Sequence, residues 1–356
     1  MGQKWLDYYS NLKTKIMNAV RNNYLGIDVS KQWFDVSLLV VLNHVKQAMV
    51  SDRFDNTISG MKAFKTWLKA MAVSYDENSL LVIENTGVYH RLIWSFCSKY
   101  NLPLHIGNAA HIKWSLGITR GKSDVIDSKR LCTYCHKQQD ELKTTPALNP
   151  VFMKLKDLMT SRSRLVAQLH SAKNYIKEIQ CTNDKVLLML LDKAHKPALE
   201  GIKKSIVQIE EMINKIILED AGIFANYQLI KSVPGIGHLT AVYIICCTNN
   251  FAAKHTGKQL ASYAGVVPFE HTSGSSIKGK NRVHKMANKD LKKMLHLCAL
   301  TAIKYYPEFK QYFDRKKAEG KNGMLVLNAI RNKLVLRVVA VVNKQQPYVD
   351  NTKVAA

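Results

Sequence analysis

From Tyr24 onward apolar and polar positions alternate: Leu25, Ile27 and Val29 share one face, and Gly26 and Asp28 take the other. A period of two predicts a strand over YLGIDV. The run WFDVSLLVVL predicts a second strand, and a third is expected around Lys46–Arg53. Met61, Phe64, Trp67, Leu68 and Met71 then recur at helical spacing. Leu80–Ile83 is apolar at every position, as in parallel strands covered on both faces. A helix over 88–100, a strand over Pro103–Ile106 and further helices follow, one of them through Val125, Ile126 and Leu131. The pattern predicts a mixed α/β sheet for this part of the chain.

Around Pro146 and Pro150 the period changes. Leu155, Leu158, Leu165, Leu169, Ala172, Ile176 and Ile179 fall on a three-four repeat, which a break near Pro197 interrupts and Ile202, Ile206, Ile209, Ile213 and Ile216 resume. Two long amphipathic helices are predicted, either as an antiparallel coiled-coil hairpin or dimerisation arm, or as two helices packed on a neighbouring domain.

Past Tyr227, LIKSVPGIGHLTAVYII sets Pro234-Gly235-Ile236-Gly237 between two helical patterns. Such a turn exposes backbone N–H groups at a helix N-terminus, a seat for phosphate through Gly235 and Gly237, or serves only as an interhelical turn. In FEHTSGSSIKGKNRVHK, Ser273, Ser275 and Ser276 surround Gly274, and Lys278, Lys280, Arg282 and His284 follow at every second position, with Lys285 next. Extended backbone puts the alternate basic groups on one face, suited to track a phosphate backbone. A hydroxyl beside such cations can attack phosphorus, although Gly/Ser loops are common and mostly inert.

Charge changes the picture most. The 356 residues carry 52 Lys and Arg against 27 Asp and Glu, a net charge of +25, which points to a polyanion partner, nucleic acid before an acidic membrane surface. Between Ala221 and Pro307 the only acids are Glu270 and Asp290. The start, MGQKWLDYYSNLKTKI, has no signal-peptide core, and Leu6 stands where myristoylation needs Ser or Thr. Apolar runs such as Val186–Leu191 are too short to span a bilayer, so a soluble cytoplasmic protein is expected. Seven cysteines give no disulfide framework. Cys132-Thr-Tyr-Cys135-His136 has the spacing of a haem attachment but lies on a helical pattern in a chain with no export signal, and is read as buried helix face.

Against this basic background, residues 85–123 contain no acid, and then GKSDVIDSKR places Asp124 and Asp127 three apart among Lys122, Lys129 and Arg130. On a helix the two share one face. Asp28 ends the first strand opposite Leu25 and Ile27, and Glu84 directly follows the buried strand. If those strands are parallel neighbours, ligands gather at their carboxyl ends, and the four acids converge. Two divalent cations, Mg²⁺ or Mn²⁺ by the hardness of the oxygen ligands, relieve the repulsion and clamp a scissile phosphate. Spacing equally allows Asp28 as a turn residue and Asp124/Asp127 as a helix N-terminal pair.

GIDVSK around Asp28, IENTGVYH around Glu84, KSDVID around Asp124 and Asp127, SVPGIG and SGSSIKGK, in this order, resemble the DEDD transposases of the insertion-sequence-110 type over about residues 22–345. Three hairpin-linked strands followed by alternating helix and strand is also the element order of the ribonuclease H-like fold. The resemblance implies an α/β plus α chain. An N-terminal extension (1–21) precedes a RuvC-like, ribonuclease H-like DEDD domain (22–148). A coiled-coil connector (149–226), a mainly helical transposase domain (227–345) and a tail (346–356) follow. It implies a Mg²⁺-binding tetrad of Asp28, Glu84, Asp124 and Asp127. It further implies that Ser273 attacks the scissile phosphate to form a covalent protein–DNA link. The implied partners are donor and target DNA, a non-coding bridge RNA, and further copies of the chain in a dimer or tetramer. Tetrad and serine are expected from different protomers, on a nucleoid-associated protein. Lys122, Lys129, Arg130, Gly235, Gly237, Lys278, Lys280, Arg282 and Lys285 are the candidate nucleic-acid contacts. Ser128 stands where the family commonly has alanine and is expected to change little. A metal-only endonuclease using water, and a non-catalytic nucleic-acid-binding protein, are the competing readings.

Overall fold

The computed structural model describes residues 21–85, 87–117, 123–253, 255–269, 272–273, 277–279, 282–283 and 286–349. The chain divides into two compact units, Met1–Leu148 and Asn149–Ala356.

The first unit is built on a mixed sheet. β1 (Arg21–Val29) pairs antiparallel with β2 (Trp33–Leu42), and β2 with β3 (Val45–Lys46) and β4 (Val50–Asp55). After α1 (Ile58–Ala70), β5 (Ser79–Glu84) runs parallel to β1. α2 (Arg91–Tyr100) then leads to β6 (Leu104–Gly107), which is parallel to β5. α3 (Ala109–Leu116) and α4 (Asp124–Lys137) complete the unit. The expected element order is the observed one, and β1 and β5 are the parallel neighbours that the two apolar patterns implied.

Two expectations need correction. The third strand is split: from Lys46 to Val50 its chain takes four steps where β2 takes three, from Val41 to Leu38. The extra residue interrupts the ladder as a bulge does. The helix expected over 88–100 starts only at Arg91, because Gly87, at φ +77°, and residues 88–90 form a turn first.

Both faces of the sheet are covered, which is why the middle strands carry so little polar sequence. Leu25, Ile27, Phe34, Val36 and Ile83 pack with Phe64 and Leu68 of α1 and with Ile93 and Phe96 of α2. On the opposite face Tyr24, Leu39 and Val82 meet Leu131, Cys132 and Cys135 of α4. Cys132 and Cys135 are fully buried and donate to the carbonyls of Tyr24 (3.1 Å) and Leu80 (3.2 Å). Burial pushes the Cys132 thiol up to about 12, so these sulfurs are structural, as the helix-face reading expected.

The second unit is helical apart from short strand pairs. α5 (Pro150–Ile179) and α6 (Lys185–Glu219) form an antiparallel pair of 30 and 35 residues, with Arg162 on Glu210 at 2.6 Å. Leu165, Leu169, Ala172 and Ile176 are half-buried along the seam, and only the roots (Leu155, Met159, Ile213, Ile217) enter the main core. No break occurs at Pro197, which lies inside α6. Proline there removes a donor and crowds the carbonyl of Lys193. Both residues are exposed, so that carbonyl faces water and the helix continues.

α7 (Ala221–Lys231), α9 (Gly257–Tyr263), α10 (Lys289–Tyr305) and α11 (Pro307–Ala318) pack around α12 (Gly323–Lys344), while α8 (His238–Thr248) packs on α5, α7 and α10. Ten residues of α12, from Val326 to Val342, are buried. Among the described residues no helix is long and apolar enough to cross a membrane.

Candidate active site

The site in the first unit starts from a missing side chain. A Cβ on Gly26 would lie 2.0 Å from the backbone nitrogen of Cys132 and 2.3 Å from the carbonyl of Ser128. Only glycine lets α4 lie this close to β1. The first turn of α4 carries Asp124 and Asp127, and Ser123 caps it by accepting from Ile126 N (3.3 Å). Asp28, two residues beyond Gly26, occupies the same face of β1. The parallel register sets Ile27 beside Ile83, which brings Glu84 alongside Asp28. The four acids are thus delivered from two strand ends and one helix start.

Their mutual repulsion shows at Asp28. Burial first, and then Asp127, Asp124, Glu84 and Asp35, push its carboxyl up to about 6. Glu84 is raised as well, by burial and then by Asp127. The two helix aspartates instead have cations. Arg130 donates to Asp127 at 2.8 Å, and Arg53 lies 3.5 Å from Asp124, which also accepts from Trp33 Nε1 at 3.1 Å. Arg53 is itself fixed by a fork onto Asp35, 2% exposed, at 3.1 and 3.0 Å, and it lies 4.9 Å over the Trp33 ring. With two carboxylates turned to arginines, no three ligand-type groups among the described residues stand at cation-binding spacing. The donor set is nevertheless all hard oxygen, with a charge excess that a divalent cation relieves.

Ser128 has a definite place. Fully buried, it bonds Ser37 Oγ (2.8 Å), which reaches Ser51 Oγ (2.8 Å), and it donates to the carbonyl of Val125 (2.9 Å). This hydroxyl chain ties the underside of α4 to β2 and β4. Lys129 is exposed, Arg130 is spent on Asp127, and Lys122 lies outside the described residues.

In the second unit Ser273 lies in a small hairpin. β8 (Thr272–Ser273) pairs antiparallel with β9 (Ile277–Lys278), placing Ser273 opposite Ile277. β7 (Pro268–Phe269) pairs with β10 (Arg282–Val283) at the hairpin's root, where Arg282 is exposed. Lys280 and Lys285 lie outside the described residues. Asn288 anchors the return: its Oδ1 caps α10 through Asp290 N and Leu291 N and accepts from Tyr243 Oη (3.2 Å). Its Nδ2 donates to Tyr263 Oη (2.9 Å), and Asn328 Nδ2 holds the carbonyl of Val266 (2.8 Å).

The two turn glycines differ. Gly235 has φ +79°, and a Cβ there would lie 2.6 Å from the Cys298 carbonyl, so close packing on α10 accounts for it. Gly237 is the N-cap of α8 with open space around its Cβ position.

The sequence profile described as "Transposase IS116/IS110/IS902 family" matches residues 227–314, and a DEDD transposase profile of insertion-sequence-110 type, described as "Transposase", matches residues 25–179. The chain belongs to the DEDD transposases of the insertion-sequence-110 type.

The first match contains the Ser273 hairpin and the second all four acids. The transposase is 26% identical to the pilin gene-inverting protein of Moraxella bovis over 330 residues, 91% of this chain and 97% of that one. It is 33% identical over 93 residues, 26% of this chain and 23% of the relative, to the insertion element IS110 uncharacterized 43.6 kDa protein of Streptomyces coelicolor. Against T. thermophilus RuvC in complex with Holliday junction substrate, identity is 7% and the TM-score 0.27, over 35% of this chain and 99% of that one, a likeness too slight to bear on the fold.

Sequence reading missed Trp33, Asp35 and Arg53 and gave Ser128 no role. Asp35 did carry a signal: an acid inside the apolar run WFDVSLLVVL has to find a cation when buried.

Proposed function

We propose that the transposase cuts and rejoins DNA through Ser273, at a phosphate engaged by divalent cations that the tetrad of Asp28, Glu84, Asp124 and Asp127 would hold. The observation that carries this reading is the delivery of four acids to one place from two strand ends and one helix start, where burial and the neighbouring acids raise the Asp28 carboxyl. A structural cluster gains nothing from such repulsion, whereas a cation site needs it. Two Mg²⁺ or Mn²⁺ ions, when bound, neutralise the phosphate and stabilise charge on the attacking and leaving oxygens. The chain's own groups do the rest. Arg53 and Trp33 orient Asp124, and Arg130 orients Asp127. The Ser273 hydroxyl gives up its proton to solvent water as its oxygen bonds to phosphorus. The bond from phosphorus to the leaving strand breaks, and the leaving oxygen takes a proton from solvent. Attack by another strand's hydroxyl reverses these steps and frees the serine.

Further parts of the reading rest on the resemblance and on the relatives. The first unit is a ribonuclease H-like domain, and α5–α6 is a coiled-coil connector that brings copies together in a dimer or tetramer. The tetrad of one copy then acts with the serine of another. A bridge RNA supplies the sequence readout, leaving Lys129, Lys278, Arg282 and their neighbours to contact backbone. The Moraxella relative is named for inverting a gene, and it aligns across both units, which fits strand exchange as the reaction. A cytoplasmic location at the nucleoid follows from that substrate.

Cleavage assays with donor and target DNA, candidate bridge RNA and Mg²⁺ test the reading. Ser273→Ala and Asp28→Asn are both expected to abolish strand exchange. Wild-type cleavage by Ser273→Ala favours the water-using endonuclease, and wild-type cleavage by both variants removes the site altogether.

A further inference from the structure

In the second unit α10 and α12 pack against each other, and the contact buries a cation. Arg331 on α12 is 5% exposed. A guanidinium at that depth ordinarily ends on a carboxylate. This one reaches His296 on α10, with Nη2 at 3.0 Å from Nδ1, and its Nε is buried with no hydrogen-bond partner. Among the described residues no carboxylate pairs with Arg331, with His296 or with Lys292. His296 Nδ1 can meet the guanidinium only as an acceptor, so the ring is neutral and its Nε2–H is a donor. Burial and the Arg331 charge both push His296 below the ordinary imidazole range, and the same two causes lower Lys292.

Three basic side chains, one with an unused donor, therefore converge on a place without an acid. Such an arrangement costs stability unless an anion completes it. Its position says which anion. Asn288, Lys292 and His296 follow one another at four-residue steps along α10, and Asn288 is the anchor of the Ser273 hairpin's return. Asn328, one turn before Arg331 on α12, holds the carbonyl of Val266 at the hairpin's departure. The surrounding stretch from Ala221 to Pro307 has only two acids, Glu270 and Asp290. A guanidinium, an ammonium and a ring N–H suit the oxygens of a phosphodiester.

We propose that Arg331, His296 and Lys292 form a phosphodiester seat beside the root of the Ser273 hairpin, gripping a nucleic-acid backbone. The inference rests on the reading of the chain as an enzyme acting on DNA, and is independent of the serine and of the metal ions.

The test is anisotropy titration of the full chain with a labelled mixed-sequence DNA duplex, and separately with an RNA hairpin, across a salt series. Each lost phosphate contact lowers the slope of log affinity against log salt by about 1. Arg331→Met and Lys292→Gln are each expected to lower it by about that amount, with affinity down about tenfold at low salt. A change with only one of the two probes identifies which backbone sits there. Without nucleic acid, Arg331→Met is expected to melt no lower than wild type, since it removes an uncompensated buried charge. If Arg331→Met does not fold, the half-exposed Lys292→Gln decides alone: a lowered slope supports the seat, and an unchanged slope with both probes overturns it. The cleavage assay separates the two readings: Asp124→Asn is expected to lose cleavage whatever slope Lys292→Gln gives. Cleavage by Asp124→Asn counts against the tetrad and leaves the seat standing.

Discussion

Arg53 forks onto the buried carboxylate of Asp35 at 3.1 and 3.0 Å and, with the same Nη2, lies 3.5 Å from Asp124. The pair crosses from β2 to β4 in direct register, Asp35 opposite Arg53, so the sheet itself aims the guanidinium at the helix that carries the tetrad's second half. Arg53→Lys keeps the charge and loses the fork. Its effect is expected on divalent-cation affinity, weaker by about 10–100-fold as for other groups that orient a ligand, with the fold retained. Isothermal titration with Mn²⁺ in the two proteins measures it.

Asp28 makes stability depend on pH with a definite sign. Its folded-state carboxyl lies at about 6, above its unfolded value of 3.8, so the folded chain holds the proton more tightly. The contribution is fully present below the unfolded value and is lost as pH rises through about 6. In metal-free buffer Asp28→Asn is therefore expected to be more stable than wild type above that range. The gain is on the order of 1 kcal/mol, the half-exposed carboxyl being partly screened by solvent. Denaturant melts at acid and at neutral pH show whether the difference appears only at the higher value.

Gly26→Ala is expected to destabilise the first unit by about 1–3 kcal/mol, because its Cβ has backbone and not a flexible side chain in its way. It also lifts the start of α4 from β1, so cleavage should fall further than the loss of folded protein explains. A melt and a cleavage assay on the same preparation separate the two effects.

Asn288→Ala removes a helix cap together with two tyrosine contacts. A loss of about 1–2 kcal/mol in unfolding free energy is expected from the cap. Faster amide exchange through the hairpin that holds Ser273 is expected with it, and hydrogen–deuterium exchange with peptide resolution reads this directly.

Much of the first unit was legible in the sequence for a physical reason. Alternation in YLGIDV and the all-apolar Leu80–Ile83 report burial on one and on both faces, and parallel pairing of those two strands carries Asp28 to Glu84. Asp124 and Asp127 were legible from helical spacing alone. The partners of these acids were not, because Trp33 and Arg53 meet Asp124 only across a sheet register that no local pattern encodes. The missing break at Pro197 has a related cause: propensity prices a proline locally, while a long helix is held by the seam it shares with its neighbour. Arg331 was silent for the opposite reason, since nothing in a helical heptad says that a basic residue will be buried without an acid.

In the proposed reaction Ser273, and not water, attacks the scissile phosphate. Digestion of the transposase after reaction with DNA, candidate bridge RNA and Mg²⁺, followed by peptide mass mapping, measures it. A nucleotide adduct on Ser273 that requires the divalent ion and is absent from Asp124→Asn is the expected result. Cleaved DNA with free ends, no adduct on any peptide and the same products from Ser273→Ala would contradict it.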